Sequence, residues 1–85
     1  MKVNHVGSNQ TEIELSNGTT VLYSYSTAVA AFVPGRGGLV SSTKYSATTS
    51  RHVSKAIERW GCSKTIVDQV EIDDIANMRQ RDEPN

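Results

Sequence analysis

The sequence predicts a small α+β domain: an antiparallel sheet of about four or five short strands, one amphipathic helix packed on it, and a short C-terminal helix. Three features predict it. The first half of the chain alternates β-prone runs with turn residues. An apolar stripe at i, i+3, i+4 and i+7 follows, through Val53, Ala56, Ile57 and Trp60. Last, Asp68 and Glu71 have the spacing of a capping box, with Val67 and Ile72 placed as its hydrophobic staple.

In chain order, Val3 to Val6 reads as a first short strand, ended by Gly7-Ser8-Asn9. "TEIELSNGTTVLYSYST" reads as a hairpin, because Asn17-Gly18 suits a two-residue turn with positive φ at both positions. That turn sets Leu15 opposite Thr20, Ile13 opposite Leu22 and Glu12 opposite Tyr23. Ile13, Leu15 and Leu22 then share one face, and Val21, Tyr23 and Tyr25 the other. Ala28 to Val33 is a third strand or the far end of a bent second one, stopped by Pro34-Gly35. "GRGG" reads as a flexible tip, and "LVSSTKYS" as a further β-prone run. Ser50 or Thr49 caps a helix of about ten residues, and Gly61 is placed to end it. Trp60 is its expected core anchor. "KTIV" reads as an edge strand, and a second, acidic helix runs from Gln69 to about Met78 at an edge of the sheet.

The 85 residues make one domain over residues 1–79, with a frayed tail over 80–85. Only 36% of the chain is hydrophobic, so the core is thin and self-association is the expected source of added stability. Nine basic and nine acidic residues cancel, which argues against bulk electrostatic capture of nucleic acid. Their distribution is uneven. Residues 35–64 carry Arg36, Lys44, Arg51, Lys55, Arg59 and Lys64 against Glu58, a net of +5. Residues 65–85 carry a net of −4. Such segments predict a polar partner or self-pairing. A homodimer is expected, seamed by the Lys64–Val67 edge or by the tyrosine face. The N-terminus lacks the apolar core of a signal peptide, and no run approaches about 18 apolar residues, so a soluble cytoplasmic protein is expected.

Most chemistries lack their residues. The glycines of "GRGGLVSSTK" lead into β-prone sequence, so they do not form a phosphate loop, which opens a helix. His5, His52 and Cys62 match no zinc spacing, and Asp68, Asp73 and Asp74 lack the alternation of a calcium loop. Neither metal nor cofactor is expected. Ser50 and His52 are close in sequence but diverge in angle on a helix, and Cys62 follows a helix end that disfavours a thiolate. No enzyme is expected. What remains is a row of cations at i, i+4: Arg51, Lys55 and Arg59, with His52 alongside and Arg36 and Lys44 nearby. Tyr23, Tyr25 and Tyr45 are available to stack or to form an interface.

"NGTTVLYSYSTAVAAFVPG" and "YSATTSRHVSKAI", within residues 11–60, resemble a family of small uncharacterised domains carried mainly by bacteriophages and other mobile elements. The Thr-Thr-Ser-Arg-His helix entry carries most of that resemblance, and the charged C-terminus departs from it. The resemblance implies a phage-type accessory protein that acts stoichiometrically on a host protein or complex, as anti-CRISPR and other anti-defence inhibitors do. The expected partner surface is Arg36, Lys44, Arg51, His52, Lys55 and Arg59. The alternative is that this basic helix face binds nucleic acid.

Overall fold

The computed structural model describes the backbone of residues 2–82 and the side chains of residues 2–78. Six strands form one sheet: β1 (Lys2–Gly7), β2 (Gln10–Glu14), β3 (Thr20–Ser24), β4 (Thr27–Val33), β5 (Gly37–Ser41) and β6 (Lys64–Val67). They stand side by side in chain order, antiparallel from β1 to β5. β6 pairs with β5 in parallel, because α1 (Ala47–Trp60) lies between them as a crossover. α2 (Gln69–Asp82) closes the described chain. Of the frayed tail expected over residues 80–85, residues 80–82 are the end of α2, and residues 83–85 lie outside the described residues. The α+β class is as expected; the sheet has six strands rather than four or five.

Neighbours along a strand point to opposite faces, and here both faces are covered. Val21, Ala31 and Leu39 pack against Ile72, Ile75 and Ala76 of α2. Leu22, Val29 and Ala30 pack against Val53 and Ala56 of α1. The result is three layers, helix–sheet–helix. α2 therefore does not sit at an edge as expected; it buries Ile72 completely against the face opposite α1. Trp60 is not the anchor either. The largest fully buried side chains are Leu22, Leu39, Ile72, Val21 and Val29. Trp60, on the last turn of α1, is half-buried with its ring 6.3 Å from that of Phe32.

The Asn17-Gly18 turn is longer than expected by one residue. Gly18 N donates to Leu15 O at 3.0 Å and Leu15 N to Thr19 O at 2.8 Å. Gly18 takes φ +90, whereas Asn17 stays at negative φ and accepts from Thr19 N through its side chain. This is a three-residue loop with a glycine bulge. One residue of slip exchanges the faces of a strand, so Ile13 pairs with Val21 and Glu12 with Leu22. Glu12 is thereby turned under α1. The next turn, Tyr25-Ser26, is formed with Tyr25 at φ 57, a costly conformation for a bulky residue. A bulge then leaves Val29 without a partner on β3, since Tyr23 pairs with Ala28 and Leu22 with Ala30. Val29 and Ala30 consequently both face α1.

Gly37 and Gly38, expected in a flexible tip, belong to β5. A Cβ on Gly38 would lie 2.7 Å from Ile57 Cδ1 and 2.7 Å from Ser63 O, so the connection from α1 to β6 presses directly on this strand. α1 itself is longer than expected at 14 residues. Its cap is Ser46, whose side chain accepts from Thr49 N at 3.2 Å. Gly61 ends it in the left-handed conformation, as expected.

Candidate functional site

The basic row of α1 is only partly available. Arg51 and Lys55 project to solvent, and neither makes an ion pair among the described residues. Arg51 Nη2 donates weakly to Thr48 Oγ1 at 3.4 Å, one turn back. Arg59 instead binds the buried carboxylate of Glu12 on β2. Arg36, at the β4–β5 turn, is paired with Glu71 of α2, which belongs to the other face of the sheet. Lys44 is exposed in the connection before α1. Six expected partner residues thus reduce to three exposed cations without carboxylate partners among the described residues: Lys44, Arg51 and Lys55.

His52 is not on that surface. It is 8% exposed, and its Nδ1 lies 2.8 Å from Ser24 Oγ at the end of β3. Ser24 Oγ also meets Thr49 Oγ1 at 3.0 Å, and the Tyr25 ring stands 6.3 Å from the imidazole. The helix stripe that faces the sheet is therefore Thr49, His52, Val53 and Ala56, half of it polar. A serine beside a histidine invites a nucleophilic reading. The geometry does not favour it: Ser24 is 2% exposed, so a substrate carbonyl has no approach to Oγ. No carboxylate orients His52 among the described residues. The cluster instead gives each buried hydroxyl and the imidazole a hydrogen-bond partner. No sequence pattern marked Ser24, whose partners Thr49 and His52 lie 25 and 28 residues later in the chain.

The tyrosines do not make one stacking platform. Tyr23 packs against the α2 side of the core and Tyr45 against the α1 side, while Tyr25 is 59% exposed at its turn. Tyr45 Oη donates to Gln69 Oε1. Gln69 Nε2 in turn donates to Ala28 O and to Asp73 Oδ1, each at 2.8 Å. Gln69 thereby fixes the start of α2 to β4 and to the α1 entry, a role no local pattern announced.

Beside the exposed face of α1 lies a groove of about 160 Å³. Val29, Val40 and Val53 line its apolar part, and Ser50, Ser54 and Lys64 contribute polar groups. Among the described residues no three His, Cys, Asp or Glu side chains converge to hold a metal ion, and no helix is long and apolar enough to cross a membrane.

The model of DUF8033, a family of unknown function, matches residues 1–74. The chain belongs to this family. The DUF8033 match takes in all six strands, α1 and the first turns of α2, well beyond the 11–60 stretch of the expected resemblance. No curated protein matches, and no solved structure does.

Proposed function

We propose that this DUF8033 protein is a non-enzymatic binding protein, a phage-type accessory factor that occupies an acidic surface of a host protein complex in the cytoplasm and so inhibits it. One observation carries the reading: Arg51 and Lys55 stand exposed one turn apart on a rigidly capped helix, without ion pairs among the described residues. α1 is held from beneath by the Ser24, Thr49 and His52 hydrogen bonds and by Glu12–Arg59. A helix so fixed presents charge with little ordering cost on binding. A defence complex is the inhibited partner that the phage-type resemblance suggests.

Nucleic acid fits less well. With Arg59 and Arg36 already paired, two or three cations remain to neutralise phosphates, and the salt slope would be only about −2 to −3. The test is capture from host lysate by the tagged wild-type chain and by the Arg51→Glu/Lys55→Glu variant. A host protein enriched by the first and lost with the second supports the proposal. Equal recovery on both, or binding of duplex or single-stranded nucleic acid tighter than about 10⁻⁶ M at physiological salt, overturns it.

A further inference from the structure

β6 ends the sheet with one side open, and two hydrogen bonds fix which of its backbone groups face outward. Ser63 O accepts from Gly38 N at 3.0 Å, and Val67 O accepts from Ser42 N at 2.7 Å. Residues 63 and 67, with Thr65 between them, therefore turn their peptide groups toward β5. Lys64 and Ile66 turn theirs to the free edge; Asp68 follows the strand and opens α2, its carbonyl accepting from Glu71 N at 3.0 Å and from Ile72 N at 3.4 Å. The side chains follow the same parity. Ile66 is registered with Val40, which packs on the α1 side of the core, and Lys64 lines the groove beside α1. Ile66 is 56% exposed.

Laid antiparallel on itself about Ile66, the segment Lys64-Thr65-Ile66-Val67-Asp68 is self-complementary. Ile66 meets Ile66 of the second copy, and each Lys64 meets Asp68 across the seam. We propose that two copies of this chain join edge to edge through β6 in this register, giving one continuous sheet across a two-fold axis. The outward parity makes the Ile66 pair a hydrogen-bonded one, exchanging both N–H···O=C bonds. A lysine on an exposed edge ordinarily discourages pairing. Here Asp68 supplies its counter-charge and the apolar Ile66 lies between them.

The other edge lacks this symmetry. Folded about Asn4, β1 sets Lys2 opposite Val6 and leaves its charge unmatched. Nor do the oppositely charged helices close a pair: α1 and α2 cover opposite faces, so a contact between α1 of one copy and α2 of the next is head to tail and open-ended.

Sedimentation equilibrium over roughly 1 μM to 1 mM, the range of ordinary weak association, tests the proposal. Twice the 9.3 kDa chain mass is expected at the upper end. Ile66→Pro removes one outward N–H without touching a bond to β5, and is expected to yield a monomer with an unchanged circular dichroism spectrum. Lys64→Asp, at an exposed side chain, sets like charges opposite at both ends and is expected to weaken association about tenfold. Lys64→Asp/Asp68→Asn, which keeps a good capping residue, is expected to recover part of that loss. A monomer throughout the range, a mass beyond a dimer, or association unmoved by Lys64→Asp overturns the proposal. If Ile66→Pro fails to fold, the two Lys64 variants still decide it.

Discussion

The two helices meet the same sheet by different means. α2 lays Ile72, Ile75 and Ala76 on an apolar face of Val21, Ala31 and Leu39. α1 buries Val53 and Ala56 but interleaves them with Thr49 and His52, which hydrogen-bond to Ser24, and anchors Arg59 on buried Glu12. Apolar burial is non-directional and tolerates small shifts, whereas hydrogen bonds and a charge pair hold only in one register. The α2 layer supplies burial; the α1 layer supplies position. A helix that presents charges to a partner is the one that needs its position fixed.

Substitutions that break this contrast are expected to fall in order. Ile72→Ala removes a fully buried side chain from the α2 layer and is expected to cost ~3–5 kcal/mol, read by chemical denaturation. Trp60→Ala is expected to cost less, since Trp60 is only half-buried; an equal or larger loss would return Trp60 to the role of anchor. Gly38→Ala drives a methyl into Ile57 and Ser63 and is expected to cost ~1–3 kcal/mol through overpacking. On the α1 side, Ser24→Ala leaves the imidazole of His52 without its hydroxyl partner and is expected to cost ~1–2 kcal/mol. Ser24→Thr, which keeps the hydroxyl, should recover part of it. Arg59→Ala strands Glu12, but the guanidinium is partly solvated, so the expected loss is about 1 kcal/mol and shrinks in high salt. The smallest effect sharpens the picture at the turn: Tyr25→Asn relieves a positive φ and is expected to raise stability by ~0.5–1 kcal/mol, or a few degrees in melting temperature.

What the sequence disclosed was local. The stripe ending in Trp60 and Gly61 gave α1 and its end, because helical periodicity and a left-handed cap are written within one element. β6 and the start of α2 were equally plain. The start of α1 was ambiguous, since Ser46, Thr48, Thr49 and Ser50 are all capable caps; the one chosen depends on where the chain leaves β5. The register around Asn17-Gly18 was lost because a two-residue turn and a three-residue loop with a bulged glycine differ by one position in the same sequence. That slip misplaced Glu12, and with it the partner of Arg59. The turn at Tyr25-Ser26 carries no glycine, asparagine or proline, and its serine marks a turn only weakly. His52 borders the stripe, and only Ser24, 28 residues earlier, draws it inward. Three of the six expected site residues were therefore removed by partners distant in the chain: Ser24, Glu12 and Glu71.

The strand order carries a consequence for assembly in time. Strands β1 to β5 stand in chain order and each joins the next through a loop of two to five residues, so their closure entropy is small and their pairing rapid. β6 waits for the whole of segment 42–63. A chain leaving the ribosome N-terminus first can thus zip five strands before either helix exists. That half-built ribbon carries Val21, Ala31 and Leu39 on one side and Leu22, Val29 and Ala30 on the other, with nothing over either. Such a species is sticky on both faces, and a fragment ending at residue 42 should precipitate or recruit chaperones in a translation extract. Extension through residue 82, which lays down both covers, is expected to end that precipitation or recruitment. Until then, the speed with which the meander forms works against it, because it matures well ahead of the helices that make it safe.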